Sequence, residues 1–232
     1  MEIPLFLAMT AGEVLSAEVL PRPLAWMACH FSCYGTGLSN LPRQLPPGSM
    51  LMLNDRTPEG GHDPALVAQQ LCNTARQLEC DSILLDFQRE DCEEVRAIIS
   101  AILEHSPCPV GVSTLYAEGF DCPVLVPPVP PHIPLEKALY PWNGRELWLE
   151  ITTEGTEITV TSEGSRYAPL PFYKPPEKAH REDSLYCHYE TTVSESEIRF
   201  RLGRTKADLE GLLTAATEYG ATKGVGLWQE MR

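Results

Sequence analysis

The residues with the most chemical capacity stand together in one run, Asp81-Ser82-Ile83-Leu84-Leu85-Asp86-Phe87-Gln88-Arg89-Glu90-Asp91. In an extended strand residues two apart share a face, so Leu84, Asp86 and Gln88 point one way and Ile83, Leu85 and Phe87 the other. An acid at the end of such a strand can act on a ligand, or it can satisfy backbone N–H groups at the junction to the next helix. Asp55, Glu90, Asp91, Glu150 and Glu230 fall near the ends of apolar runs and could complete a carboxyl pair for acid–base work. As loop charges they are also ordinary solvated surface, and Asp91 stands where a helix needs a cap. Arg89 could hold a carboxylate or pair with Glu90, Asp91 or Glu93. The eight cysteines include Cys29-x-x-x-Cys33 and the Cys187-His188 stretch, at most halves of a zinc site. Several lie in apolar runs, where Cys packs as a small hydrophobe, so free thiols and no bound metal are expected. No G-x-S-x-G, phosphate-cradling Gly loop, dinucleotide fingerprint or H-E-x-x-H motif occurs, and no cofactor is implied.

These side chains need elements to hold them. Apolar runs recur at Pro4–Met9, Ala25–Phe31, Ser49–Asn54, Ser82–Gln88, Pro109–Leu115, Pro123–Pro127, Glu146–Ile151 and Gly224–Gln229. Most are dense in Leu, Val, Ile or Met rather than alternating, as parallel strands covered on both faces should be. Three helices are signalled between them. One opens at Asp63-Pro64, one at Asp91 with Glu94 as its capping-box partner, and one at Thr205 with Asp208, stopping at Gly220. Glu13–Leu20 is a weaker fourth. Eight such strands with interleaved helices predict a single (β/α)8 barrel over residues 1–232. The chain is shorter than the roughly 250 residues typical of that fold, so some outer helices must be missing. The Pro- and Gly-rich stretches Tyr34–Gly48 and Pro127–Trp142 are read as loops in their place. Between the seventh and eighth strands, residues 152–204 carry turn signals around Glu157–Thr161 and further strand patterns at Leu185–Thr191 and Ile198–Leu202. They predict a small antiparallel insertion without enough apolar residues for a core of its own.

In this setting Asp81–Gln88 resembles the D-x-x-D-x-D-x-E signature of glycoside hydrolase family 18, the chitinase-like barrels, at the same fourth strand. Asp81 and Asp86 keep two of its acids; Leu84 stands in the place of the second and Gln88 in that of the catalytic Glu. Gly224-Val225-Gly226-Leu227-Trp228-Gln229 is similar to the family's eighth strand, which closes on Trp. Ser184–Glu190 and Pro169–Tyr173 resemble segments of its bacterial spore and cell-wall members. The family's sixth-strand Tyr-Asp pair is replaced by Val124-Leu125-Val126-Pro127-Pro128, and the Gly-rich end of its third strand by Leu53-Asn54-Asp55. The resemblance implies a mechanism in which Glu protonates the glycosidic oxygen and the neighbouring Asp orients the substrate's acetamido group. A general acid needs a titratable proton, which Gln88 lacks. The expectation is therefore a barrel that binds an N-acetylhexosamine-type glycan without hydrolysing it. Asp86 and Gln88 would hold the degenerate catalytic position, and Trp228, Asp81, Asp55, Glu150 and Tyr189 would contact the sugar. Two alternatives stay open: an active hydrolase using Asp86 with a relocated acid, and a non-catalytic structural or interaction role.

Charge and composition narrow the partners. With 18 basic and 32 acidic side chains the formal net charge is −14, which opposes binding to nucleic acid or anionic lipid. At 43% hydrophobic residues the chain is too apolar for disorder. The start, Met1-Glu2-Ile3-Pro4, has no basic segment and only a short apolar run, so neither a signal peptide nor a membrane span is read from it. A cytoplasmic location is expected, with spore or envelope association left open. Protein partners are not indicated.

Overall fold

The computed structural model describes residues 3–55, 61–171 and 173–231, so Phe172 of the Pro169–Tyr173 segment lies outside them. Eight parallel strands close into a barrel. They are β1 (Leu5–Met9), β2 (Leu24–Phe31), β4 (Met50–Asn54), β5 (Ser82–Asp86), β6 (Val110–Ser113), β7 (Val124–Val126), β8 (Leu147–Ile151) and β14 (Ala221–Leu227). Their order is β1-β14-β8-β7-β6-β5-β4-β2, and β1 also pairs with β2, which closes the ring. A two-residue strand, β3 (Leu38–Ser39), adds antiparallel to β2.

The helices follow their caps. Asp63 accepts from the N–H groups of Ala65 and Leu66 at the start of α2 (Pro64–Gln77). Thr205 and Asp208 form a reciprocal capping box on α5 (Lys206–Ala216), and Gly220 takes the left-handed conformation that ends the following turn. The expected Glu13–Leu20 helix is instead α1 (Ala11–Ser16), because Thr10 and Glu13 close a capping box at its start and Ala17 is already extended. The expected cap of α3 (Glu93–His105) is corrected as well. Cys92 occupies the N-cap without a side-chain bond. Asp91 is instead held by two Arg96 nitrogens, and Glu94 accepts from the N–H groups of Gly61 and His62.

Outer helices are indeed missing: the chain crosses from β2 to β4 and from β6 to β7 without an α-helix. The stretch after β7, read as a loop, holds one short helix, α4 (Leu135–Leu139), begun by Pro134. Residues after β8 form a five-stranded antiparallel sheet of β9 (Gly155–Thr161), β10 (Gly164–Leu170), β11 (His180–Glu182), β12 (Cys187–Val193) and β13 (Glu197–Gly203), in the order β10-β9-β13-β12-β11.

Alternation along the barrel strands separates two environments. Ile83, Leu85 and Phe87 pack outward with residues of α2 and α3, and Leu147, Leu149 and Ile151 pack with α4 and α5. The alternate residues Phe6, Ala8, Ala25, Met50, Met52, Leu84, Leu125, Trp148 and Val225 fill the lumen. Trp148 is fully buried there, and only a glycine on β6 leaves room for it: a Cβ on Gly111 would lie 2.3 Å from the indole. Below the indole, Lys223 sits 5.3 Å from the Phe6 ring and 5.4 Å from that of Trp148, and pairs with Asp81. Gly111→Ala is therefore expected to lower unfolding free energy by about 2 kcal/mol or more through overpacking. Urea denaturation followed by tryptophan emission checks this, and an unchanged midpoint would show that Trp148 can move aside.

Candidate functional site

The C-terminal mouth of the barrel gathers part of the expected set. On β5, Leu84 belongs to the lumen, so Asp86 two residues on faces the mouth above it. The strand ends at Asp86, and the exposed Gln88 turns back so that its Nε2 donates to Asp86 Oδ1 at 3.2 Å. The loop that carries Gln88 is held by Asp55, a buried carboxylate just beyond β4. Asp55 Oδ2 accepts from the backbone N–H of Gln88 at 2.9 Å and of Arg89 at 2.8 Å. Arg89 makes no ion pair among the described residues, contrary to the pairing its acidic neighbours suggested. Its Nε donates to the carbonyl of Asp55 instead, and Tyr116 OH donates to the carbonyls of Arg89 and Glu90. Asp55 thus positions Gln88 while also walling the hollow beside it.

That hollow has about 90 Å³ of space and is lined by Met27, Met52, Asn54, Asp55, Asp86 and Gln88. It falls well below the several hundred Å³ usual for a site that swallows a whole small molecule. It suits one substituent of a ligand lying across the mouth. Met27 and Met52 were not singled out from the sequence, although the period of two that places Asp86 inward places Ala25 and Met27, and Met50, Met52 and Asn54, inward as well.

Glu150 faces the same mouth. It follows the lumen residue Trp148 by two positions on β8, across the barrel from β5. Burial, then the carboxylates of Asp86 and Glu230, push its pKa up to about 7. Glu230 is itself engaged, accepting from Thr152 Oγ1 at 2.6 Å and from the Thr153 N–H at 2.9 Å.

Three expected contacts lie elsewhere. Asp81 precedes β5 at the opposite, N-terminal end of the barrel, where it pairs with Lys223. Tyr189 lies on β12 of the second sheet with its ring 5.5 Å from that of His180. Trp228 falls just past β14 in a turn, half-buried, with its N–H donating to the carbonyl of Ala8 at 3.0 Å. Its backbone is at the mouth, but its side chain is not a wall of the hollow by Asp86. Among the described residues no group of three or more His, Cys, Asp or Glu side chains could hold a metal ion. The cysteines are free, and burial pushes the Cys29 thiol up to about 12. No helix among the described residues is long and apolar enough to cross a membrane.

The pKa of Glu150 has a consequence for stability. The folded protein binds this proton more tightly than the unfolded chain does. Its contribution is therefore fully present below the unfolded value of 4.5 and is lost as pH rises through about 7. Glu150→Gln, which cannot ionise, should be more stable than the wild type by on the order of 2 kcal/mol at pH 8. The two should converge near pH 4. Equal denaturation midpoints at both pH values would show that Glu150 is not desolvated.

No family profile and no curated protein matches the sequence. Solved structures do match in fold. A chitinase-like agglutinin from Robinia pseudoacacia superposes with a TM-score of 0.59 at 9% identity, over 98% of this chain and 95% of that one. The spore cortex-lytic enzyme SleL of Bacillus cereus gives 0.54 at 10% identity, over 97% of this chain and 70% of that one. A family 18 chitinase from Cycas revoluta, solved with (GlcNAc)3, gives 0.51 at 11% identity, over 97% and 94%. The fold of this chain is a chitinase-like barrel of the family 18 type.

Proposed function

We propose that the protein binds a neutral, N-acetylhexosamine-type glycan at the mouth of its barrel without hydrolysing it. The observation that carries this reading is the Asp86–Gln88 pair, a carboxylate and an amide joined at 3.2 Å and held over a small hollow by Asp55. A carboxylate accepts hydrogen bonds from hydroxyl and amide groups, and a side-chain amide both donates and accepts. Together they match the mixed donors and acceptors of an acetamido sugar. Neither Met27 nor Met52 competes for those bonds, and both offer a soft apolar wall to a methyl group. Gln88 has no proton to give to a leaving oxygen, a contribution typically worth ~10²–10⁴-fold in rate. Support also comes from the likeness in fold to the Robinia agglutinin and to the Cycas chitinase solved with a GlcNAc oligomer.

One observation favours a second reading, a hydrolase with a relocated acid. Glu150, with a pKa of about 7, is a carboxyl that keeps its proton near neutral pH and faces the Asp86 carboxylate across the mouth. A carboxyl that keeps its proton beside a second carboxyl is the arrangement that acid–base division of labour requires.

Titration calorimetry with N-acetylglucosamine oligosaccharides, paired with a chromogenic N-acetylglucosaminide assay, separates the two. The expected result is binding without turnover, with Asp86→Ala weakening affinity about tenfold or more through loss of charge-assisted hydrogen bonds. Turnover with a bell-shaped pH profile that Glu150→Gln abolishes would transfer the assignment to the hydrolase. Absence of both binding and turnover would leave the structural role.

A further inference from the structure

The second sheet sorts its side chains by face. In an antiparallel sheet directly paired residues point to the same side, and successive residues point to opposite sides. The register therefore sets Tyr167, Ile158 and Phe200 in one row across β10, β9 and β13. Val160, Ile198 and Val193 form the next row on the same face, across β9, β13 and β12. Ser165 and Thr191 complete the two rows, which hold no charged side chain. The opposite face carries the charge: Glu157 pairs there with Arg201 at 2.9 Å and with Arg199 at 3.8 Å. A sheet patterned in this way leaves its charged face in water and packs the apolar one against something.

The apolar face has no such cover within the described chain. Val193 is 70% exposed, Tyr167 60% and Ile198 38%. Among the described residues none of the six packs into the core on either side of the barrel wall. Yet the sheet is firmly held at its base. Arg204, buried at the end of β13, directs its guanidinium to the carbonyls of Val129, Leu185 and Tyr186. Tyr167 is steadied by the His132 ring, with 4.9 Å between centroids. The face is thus a fixed, uncharged and uncovered surface, which in a protein marks a contact with another macromolecule. Its size sets the strength of that contact. The four strands β10, β9, β13 and β12 have seven residues each. At ~3.3 Å per residue and ~4.8 Å between strands they present roughly 440 Å² in flat projection. Two such faces pressed together bury on the order of 1,000 Å², the lower bound for a specific interface.

We infer that a second copy of this chain covers the face, the two second sheets packing on each other about a two-fold axis. Charge selects this occupant. Two molecules of net charge −14 repel each other unless they meet on a surface free of like charges, and the two apolar rows are such a surface. A basic partner gains nothing from rows without a carboxylate, and an equal sheet supplies an apolar face of the same width. Sheets paired in this way interdigitate the side chains of their inner faces and keep their charged faces in water. The modest area makes the dimer a weak and reversible one, with a Kd in the ~micromolar range. The pairing does not depend on any glycan at the barrel mouth.

Sedimentation velocity on the full chain, from roughly 1 to 500 µM, tests this. The wild type should move from monomer toward twice that mass across the range. Val193→Glu puts a carboxylate from each copy into the contact and should weaken the dimer at least tenfold. Thr192→Glu adds the same charge one residue away, on the other face opposite Arg199, and should dimerise as the wild type does. Both positions are exposed, so neither change should move the unfolding midpoint. Salt separates apolar from ionic association: the dimer should persist in about 0.5 M NaCl, where repulsion between the acidic copies is screened. A wild type that stays monomeric throughout, or a dimer that dissociates in salt, would overturn the inference. So would a dimer that Val193→Glu and Thr192→Glu weaken equally, or that neither weakens.

Discussion

A closed barrel of eight strands leaves a lumen that must be filled by side chains, and here one residue does most of the filling. Trp148 crosses the interior from β8 and lies where a Cβ on Gly111 would otherwise stand. Its indole N–H reaches Glu146 below, and Lys223 sits over its ring, closing the N-terminal end with a cation that Asp81 neutralises. The lower barrel is thereby sealed. The hollow at Asp86 therefore lies above the indole and is shallow, and Asp81, below it, is a structural partner of Lys223.

The same filling sets the electrostatics of the mouth. Because β8 alternates, Trp148 pointing inward requires Glu150 to point inward one layer higher. There it is partly desolvated by the packing beneath it and confronted by Asp86 and Glu230. Three carboxyl groups sharing one rim would repel strongly if all were ionised. The mouth avoids this in two ways: Glu150 holds its proton to about pH 7, and Glu230 is engaged by Thr152 and Thr153. Asp55 walls the hollow with its carboxylate oriented by two backbone N–H groups of the loop that bears Gln88.

The strands were legible because burial on both faces demands dense apolar runs, and each of the eight runs corresponds to a barrel strand. Capping was legible where donor and acceptor are close in sequence, as for Thr205 with Asp208. It failed for Asp91 and Glu94, since Glu94 is recruited by Gly61 and His62, more than thirty residues away, and no local pattern encodes that. The site was legible in part for a similar reason. Strand alternation puts Asp86 and Glu150 inward, but the end of β14 is one residue short of Trp228, and a turn then redirects the chain. Met27 and Met52 look like ordinary core residues until the height of the lumen is known. Tyr167 and His132, thirty-five residues apart, meet only through the folded second sheet, so nothing in the sequence marks them as a pair.

An amide beside a carboxylate can do different chemistry from a pair of carboxyl groups. Gln88 reaches Asp86, and Asp55 fixes the backbone from which it reaches. The amide adds no charge to a rim that already carries the carboxyl groups of Asp86, Glu150 and Glu230. A side-chain amide donates and accepts hydrogen bonds but has no titratable proton to deliver. On the opposite rim, Arg204 performs the corresponding task by anchoring the segment that carries His132 through backbone carbonyls alone. The two sides of the mouth are thus held by buried charged groups whose partners are main-chain atoms.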